Sequence, residues 1–256
     1  MIRIYLNGRM TIEADGVCLD ANAFPGQQGR RAFAFLVTER GNPVSRAVLA
    51  EAIWPGVPPR AWESAVSSII SKLRSLLARA GLDGTTTLRS GGGCYELNLP
   101  PHAWIDHEIA ANSIHEAEAA LKDGNFAAAY GPSAIAHHIA RRPFLPGEEG
   151  EWIERRRDKL ESVLLRALEV RSEVYLWNGE YPLAVEAARE VIARRPFRET
   201  AYRHLMRAHA AAGDAAEALW VYEQCRTLIA QELGASPSPA TQAIQLQVLQ
   251  APAATS

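Results

Sequence analysis

Residues 62–79 read WESAVSSIISKLRSLLAR. At about 100° per residue the apolar side chains of this stretch fall on one stripe, which is typical of an amphipathic helix. These side chains are Trp62, Val66, Ile69, Ile70, Leu73, Leu76 and Leu77. The opposite stripe carries five serines, with Lys72 and Arg74 on its two sides. Serine is a mediocre helix former, so helix stability alone does not account for this stripe.

The serine stripe has two open interpretations. A row of short hydroxyl side chains lets a helix backbone come close to the major groove of DNA, where Lys72 and Arg74 would reach phosphates. Alternatively, the stripe is a solvated face that happens to be rich in serine. The helix by itself does not separate the two.

Composition and charge limit the class of protein. The 256 residues leave room for two modest domains, and 48% hydrophobic with 22% charged residues is ordinary for a soluble chain. No apolar run approaches the ~20 residues of a membrane span, and the N-terminus lacks the apolar stretch of a signal peptide. Three widely spaced cysteines predict neither a disulfide framework nor a metal site. We therefore expect a cytoplasmic protein without membrane contact.

The net charge of −2 conceals an asymmetry along the chain. Residues 1–100 hold 11 Lys and Arg against 8 Asp and Glu, whereas residues 101–256 hold 16 against 21. A mildly basic first part joined to an acidic second part fits an anion-binding module followed by a protein-facing module.

The first hundred residues predict strands, three helices and a hairpin, in that order. Short strands at 2–6 and 10–12 flank the Asn7-Gly8 turn, and residues 22–29 are typical of a loop. The predicted helices cover 31–40, 46–54 (with Ser45 as N-cap) and 62–79, and the hairpin covers 88–99. Pro100-Pro101 then marks the best candidate for a domain boundary.

The remaining residues predict a helical repeat. Gly179 and Gly213 are 34 residues apart, and the same spacing separates Ala184 from Ala218 and Ala188 from Tyr222, as in tetratricopeptide repeats. A third copy begins around Gly124, and its larger offset indicates that residues 141–151 form an inserted loop. Three helix pairs are about the minimum for a stable array. The tryptophans Trp152, Trp177 and Trp220 are expected to pack between helices.

Four segments of this chain match a known family. The predicted architecture, an α+β N-terminal winged helix-turn-helix followed by an all-α tetratricopeptide-like helical bundle, is similar to the bacterial transcriptional activator family that includes the Streptomyces antibiotic regulatory proteins. The winged part resembles the OmpR type. The matching segments are Val44 to Pro55, Ala65 to Leu77, Tyr95 to Leu97 and Glu232 to Pro239. The resemblance implies an OmpR-type DNA-binding domain at 1–100, a transcriptional activation domain at 101–250 and a tail at 251–256.

The resemblance also implies a mechanism and partners. The third helix would enter the major groove of double-stranded promoter DNA, the hairpin wing would contact flanking DNA, and protomers would bind promoter repeats side by side and help to recruit RNA polymerase. A homodimer is expected at least on DNA. The implied contacts divide into serines facing bases or nearby phosphates, two cations holding the DNA backbone, and one arginine at the base of the wing. The serines are Ser64, Ser67, Ser68 and Ser71. The two cations are Lys72 and Arg74, and the arginine of the wing is Arg89.

Two local features differ from the usual family pattern. Cys94 and Glu96 flank Tyr95, where relatives tend to have Gly and Arg. Glu63 begins the third helix, where relatives tend to have Arg; it would either accept a hydrogen bond from a cytosine amino group or simply favour the helix N-terminus.

Other residues suggest chemistry that the sequence does not support. The histidines at 102, 107, 137 and 138 have no recognised metal-ligand spacing, and the glycines at 91–93 lack the Lys-Ser/Thr and helix of a phosphate loop. No metal, cofactor or enzymatic activity is predicted. Arg155 to Arg157 either support their helix or contact DNA or polymerase. The alternative function is a tetratricopeptide adaptor whose winged domain contacts protein.

Overall fold

The computed structural model describes residues 1–250, so the tail at 251–256 lies outside the described residues. The chain divides into two compact units. One consists of Met1–Ile109 together with Ile139–Glu161, and the other consists of Ala110–His138 together with the chain from Ser162 onward. The first unit therefore includes Ile139–Glu161, which lies well beyond the domain boundary predicted at Pro100-Pro101.

A four-stranded sheet opens the first unit. Its strands are β1 (Ile2–Tyr5), β2 (Thr11–Ala14), β3 (Val17–Asp20) and β7 (Trp104–Ile105), in the order β3-β2-β1-β7. Strand β2 pairs antiparallel with both β1 and β3, whereas β7 runs parallel to β1. Ile4, Ile12 and Leu19 lie opposite one another across the first three strands and are buried. The sequence did not predict β3, because Leu19 is its one buried residue and leaves no visible alternation.

Three helices and a second sheet complete the winged helix-turn-helix, as predicted. The helices are α1 (Gly26–Thr38), α2 (Arg46–Ile53) and α3 (Trp62–Arg79), and a short helix α4 (Gly84–Thr87) follows. The second sheet has the order β4-β6-β5, with β4 at Val44–Ser45, β5 at Leu88–Gly91 and β6 at Cys94–Leu97. Ser45 caps α2 by accepting from the Val48 N–H, as expected. Helix α1 begins before the predicted Arg31, because its first turn is polar and glycine-containing and so hides the helical period.

The inserted loop predicted at 141–151 lies between α6 (Phe126–Ala140) and α7 (Glu151–Trp177) and belongs to the first unit. The Gly8 N–H donates to the Pro143 carbonyl at 2.8 Å, and the Leu145 N–H donates to the Leu6 carbonyl at 2.9 Å. Glu148, only 4% exposed, accepts from both Arg30 and Arg31 of α1. The loop is thus a structural part of the winged unit.

A buried carboxylate joins the end of β1 to the start of α5 (Asp106–Lys122). One oxygen of Asp106, Oδ2, accepts from the backbone N–H groups of Leu6 and Asn7, each at 2.8 Å. The other oxygen, Oδ1, accepts from the His107 N–H at 2.7 Å. Asp106 therefore satisfies three backbone donors where β7 passes into α5.

The second unit contains the helical array. Besides its parts of α5, α6 and α7, it holds α8 (Tyr181–Arg194), α9 (Glu199–Ala211), α10 (Ala215–Leu233) and α11 (Pro239–Gln250). Gly124, Gly179 and Gly213 all have positive φ, at 71°, 77° and 85°. The residue after each glycine donates to the carbonyl five residues earlier, a Schellman-type closure that repeats from Asn125 to Ala120, from Glu180 to Tyr175 and from Asp214 to His209. The predicted repeat is confirmed by this recurring turn.

Small residues mark the helix contacts of the array, but the tryptophans do not. Ala184, Ala188 and Ala218 are buried, as the repeat pattern predicts. Trp152 is buried too, but Trp177 is 58% exposed and Trp220 is 56% exposed, so neither of these two is buried between helices as predicted. The ring of Trp177 stacks on Phe126, with centroids 5.4 Å apart. A repeat period identifies where helices approach closely and does not identify which large residues remain on the outer face.

A carboxylate–histidine pair between α7 and α9 predicts a pH dependence of stability. His204 is buried, and its Nε2 lies 3.0 Å from Oε1 of Glu173. This hydrogen bond lowers the pKa of Glu173 from its ordinary value of 4.5, although partial burial opposes the shift. Because the pKa of Glu173 is lower in the folded chain, its ionised form stabilises the fold above about pH 4.5, and that contribution is lost as the pH falls through the folded-state pKa.

We expect Glu173→Gln to reduce the free energy of unfolding near neutral pH by on the order of 1 kcal/mol, a typical net value for one hydrogen bond. The difference from the wild type should shrink as the pH falls below 4.5 and through the lowered folded-state pKa of Glu173, which urea titrations at several pH values measure. Glu217→Gln, at an exposed carboxylate on α10, serves as the matched control. A difference that stays constant with pH would contradict this prediction.

Candidate nucleic-acid interface

Helix α3 presents the two faces that its sequence predicts. Every residue of the apolar stripe is buried except Trp62, which is half-buried. The five serines are exposed on the other face and follow the helical spacing i, i+3, i+4, i+7 and i+11; they are Ser64, Ser67, Ser68, Ser71 and Ser75. The apolar face packs against α1 and α2, so the serine face is directed away from the core of the first unit.

The serine hydroxyls differ in what they can still bind. Ser64 donates to the Ala61 carbonyl at 2.9 Å, and Ser67 donates to the Glu63 carbonyl at 2.9 Å. Their hydroxyl hydrogens are occupied, so these two side chains are left as acceptors. Ser68 and Ser71 make no such side-chain bond within the described chain and retain both a donor and an acceptor. The stripe therefore offers both kinds of hydrogen-bonding group to a ligand.

Some cations of the first unit are paired with carboxylates, and others are not. Arg30 and Arg31 both pair with Glu148. Arg40 pairs with Glu108, and Arg156 pairs with Glu39. Lys72, Arg79 and Arg89 are exposed, and none of the three lies within ion-pair distance of a carboxylate anywhere in residues 1–250. Lys72 and Arg79 are on α3 and Arg89 is on β5. Two of these cations thus lie on the helix with the serine stripe and one lies on the hairpin. Arg3, Arg9, Arg46 and Arg60 of the same unit are also exposed and have no carboxylate of residues 1–250 within ion-pair distance.

Arg74 is placed differently from Lys72. Its guanidinium is half-buried, and Nε donates to the Leu88 carbonyl at 2.9 Å while Nη2 donates to Ser90 Oγ at 2.5 Å. Leu88 and Ser90 both belong to β5. Arg74 therefore braces the hairpin against α3, a role that the sequence did not reveal because it depends on a contact between two elements.

The short helix α4 fixes the approach of the hairpin to α3. Hydrogen bonds from Thr85 and Thr86 to the N-cap Asp83 lower the pKa of its carboxyl to about 2. A Cβ at Gly84 would come within 2.3 Å of the Arg74 carbonyl oxygen, so only glycine allows this close approach. These two residues set where the hairpin begins relative to the serine face.

The hairpin ends in a two-residue turn. Gly91 and Cys94 are paired across the strands, and the two-residue turn Gly92-Gly93 has φ values of 57° and 78°. Positive φ at both turn residues is the requirement of a type I′ hairpin. Glu96 lies opposite Arg89 in register but is not within ion-pair distance of it. The hairpin therefore exposes Arg89 with an acidic neighbour on the adjacent strand.

Arg46 extends the basic surface, and sequence reasoning did not select it as a site residue. Its backbone N–H donates to the Gly93 carbonyl at 3.2 Å, and its guanidinium lies 5.8 Å from the centroid of the Tyr95 ring. The exposed first residue of α2 is thus held beside the hairpin turn. Its position directly after the N-cap Ser45 is the one sequence signal that places it at the start of a helix.

Arg155 to Arg157 act within the first unit. Arg155 pairs with Glu151, Arg156 bonds to the Thr38 carbonyl and Glu39, and the Arg157 guanidinium donates to the carbonyls of Phe144, Leu145 and Glu148. Of the two interpretations of this basic run, the contacts favour structural support. No group of three or more His, Cys, Asp or Glu residues that could hold a metal ion occurs within residues 1–250. Across the same residues, no helix is both long and apolar enough to cross a membrane.

The fold and this surface together define a winged helix-turn-helix protein with a tetratricopeptide-like domain. The family model of the bacterial transcriptional activator domain matches residues 105–249, more than half of the chain. The chain belongs to this family of transcriptional regulators, as the sequence resemblance indicated.

The relatives are regulators, and most are longer than this chain. The regulatory protein AfsR of Streptomyces coelicolor is 31% identical over 88% of this chain, which spans 22% of AfsR. The transcriptional regulatory protein EmbR of Mycobacterium tuberculosis is 25% identical over 86% of this chain, which spans 57% of EmbR. A solved structure of M. tuberculosis EmbR in complex with a low affinity phosphopeptide superposes with a TM-score of 0.83 at 24% identity, covering 97% of this chain and 65% of that one. This last likeness supports the fold.

Proposed function

We propose that this protein is a sequence-specific DNA-binding transcriptional regulator that activates transcription. In this proposal α3 enters the major groove of promoter DNA, and Ser64, Ser67, Ser68 and Ser71 face base edges or nearby phosphates. Lys72 and Arg89 contact the DNA backbone. Arg74, for which the resemblance implies a phosphate contact, holds the hairpin in position and reaches DNA only with the donors that its bonds to β5 leave free.

The observation that carries the proposal is the exposed serine stripe of α3 with unpaired cations beside it. Lys72 and Arg79 lie on the same helix and Arg89 lies on the hairpin, and none of the three has a carboxylate of residues 1–250 within ion-pair distance. Phosphates attract such cations, and short side chains between them let the helix backbone approach the bases. The solvated-face interpretation accounts for the serines but does not account for their position among these cations.

The remaining parts of the proposal concern partners and domain roles. We assign DNA binding to residues 1–100 and activation to residues 101–250, with RNA polymerase as the protein partner and promoter repeats as the DNA target. Two copies would meet on such repeats, in the cytoplasm. Because the first compact unit also includes Ile139–Glu161, experiments require the full chain.

The test is a salt titration of binding to the DNA upstream of the gene for this protein. We expect log K to fall linearly with log salt, and Lys72→Ala or Arg89→Ala to reduce the magnitude of that slope by about 1 each, since each variant loses one phosphate contact. Lys122→Ala, at an exposed lysine that ends α5, is the matched control and should leave the slope unchanged. Fluorescence anisotropy with a labelled duplex provides the measurement.

Competition with random duplex of the same length separates the two functions considered. A tighter affinity for the upstream DNA, with the slope changes above, supports the regulator. Equal affinity for both duplexes at every salt concentration would overturn the proposal and favour the adaptor, whose winged domain contacts protein.

A further inference from the structure

Glu63 is the one acidic residue of α3, and the other charged residues of this helix are Lys72, Arg74 and Arg79. It lies in the first turn of the helix, and its side chain is exposed. In the proposed function the serines and cations of α3 bind DNA, and Glu63 has no role. A carboxylate on a surface that faces phosphates is repelled by them, so its presence there needs an explanation of its own.

No contact within the protein occupies the Glu63 carboxylate. No Lys, Arg or His of residues 1–250 lies within ion-pair distance of it, although Arg60 is only three positions earlier. Its oxygens accept no hydrogen bond within the same residues, and α3 has no side-chain cap. A favourable interaction with the helix dipole is the structural role that this leaves to the carboxylate. The carboxylate oxygens are therefore available to a ligand.

The position of Glu63 is at the end of α3 that would meet base edges. In helix-turn-helix proteins the N-terminal residues of the recognition helix contact the bases in the major groove. Ser64 and Ser67, both exposed, lie one and four positions after Glu63, and the Ser67 hydroxyl donates to the Glu63 carbonyl at 2.9 Å. Positions i and i+4 of a helix share one face, one turn apart. A helix that brings Ser67 near a base therefore brings the Glu63 carboxylate to the same groove.

The chemistry of the major groove limits which base a carboxylate can face. An ionised carboxylate only accepts hydrogen bonds. Guanine presents two acceptors in the groove, thymine presents an acceptor and a methyl group, and adenine presents an amino donor beside the N7 acceptor. Cytosine presents its N4 amino donor and no acceptor of its own. Cytosine is thus the base at which a carboxylate gains a hydrogen bond without facing an acceptor of that base.

We infer that Glu63 determines sequence specificity by accepting a hydrogen bond from the N4 amino group of a cytosine in the target duplex. Where another base occupies this position, the buried carboxylate lacks a donor and stays close to phosphates, so such sequences are bound less tightly. Glu63 thus acts largely by excluding wrong sequences, whereas Lys72 and Arg89 contribute affinity that does not depend on sequence. The inference rests on the proposed function, because it requires α3 to lie in the major groove.

Selection of bound duplexes from a randomised library by the full chain, followed by anisotropy on the selected duplex and its single-base variants, tests the inference. The wild type should favour cytosine over each other base at one position by at least about fivefold. Glu63→Gln should exchange this preference for adenine, because a glutamine amide pairs with both N6 and N7 of adenine. Glu63→Ala should lose the preference at this position and keep those at the others.

Glu149→Gln makes the same chemical change at another exposed carboxylate of the first unit and is the matched control. It should retain the base preferences of the wild type. Unchanged preferences in Glu63→Gln, with or without the loss of stability that the dipole interpretation predicts, would overturn the inference and leave the proposed function intact. A wild type that selects no sequence at all would instead overturn the proposed function, so the two failures are distinct.

Discussion

Replacing Ser68 with glutamate is expected to weaken binding to the target duplex by at least about 100-fold, which corresponds to roughly 2.7 kcal/mol. Ser68 lies in the middle of the exposed stripe of α3 and retains a free hydroxyl donor. A carboxylate at this point would lose the hydroxyl contact and would enter a groove lined by phosphates. The loss of one base contact costs about 1–3 kcal/mol, and like-charge repulsion adds to it.

Ser236→Glu makes the same chemical change at an exposed position in the second unit and is the matched control. Its affinity, measured by anisotropy at one fixed salt concentration, should equal that of the wild type. Circular dichroism should show both variants folded. Undiminished binding of Ser68→Glu to the upstream DNA would show that α3 does not enter the groove.

Replacing Asp106 with alanine is expected to reduce the free energy of unfolding of the first unit by about 3–5 kcal/mol. The variant removes the acceptor for the backbone N–H groups of Leu6, Asn7 and His107. Each buried donor left without a partner costs about 1–3 kcal/mol. Urea denaturation followed by the fluorescence of the tryptophans provides the measurement.

Two variants make the result on Asp106 specific. Asp106→Asn keeps one acceptor oxygen and should lose less stability than Asp106→Ala. Asp158→Ala, at an exposed carboxylate of α7, should change the free energy of unfolding by no more than about 0.5 kcal/mol. If Asp106→Ala cost as little as Asp158→Ala, the three backbone bonds would not contribute to stability as proposed.

Elements with a strong local period could be predicted from the sequence. Helix α3 has a long apolar stripe, the hairpin has a glycine turn, and the array has two glycines 34 residues apart with a closing turn that repeats. In each case the pattern lies within one short stretch of sequence or repeats along it. Local patterning therefore sufficed for the winged helix and the helical array.

Elements that depend on distant partners could not be predicted. Strand β7 has two residues and exists because β1 lies beside it, about a hundred positions earlier in the chain. The buried bonds of Asp106 join the same two regions, and Glu148 pairs with arginines more than a hundred residues away. No local pattern records such pairings, so the inserted loop was visible only as an interruption of the repeat.

The candidate site also has some features that follow from local sequence patterns and others that depend on contacts between elements. The serine stripe and Lys72 follow from the helical period alone. The bracing role of Arg74 and the place of Arg46 beside the hairpin turn depend on contacts with β5 and β6, which the sequence does not specify. Sequence reasoning therefore identified the exposed face but not the contacts that orient it.

The return of Ile139–Glu161 to the first unit has a consequence for synthesis of the chain on the ribosome. A winged unit that ended near residue 100 could close as soon as that residue emerged. Here the N-terminal strands and α1 must wait for roughly fifty further residues, which takes several seconds at ~5–20 residues per second. During that interval the carbonyl of Leu6, the N–H of Gly8 and the guanidinium groups of Arg30 and Arg31 lack their final partners. The nascent protein thus passes through a stage in which its DNA-facing part has been translated but is not yet complete.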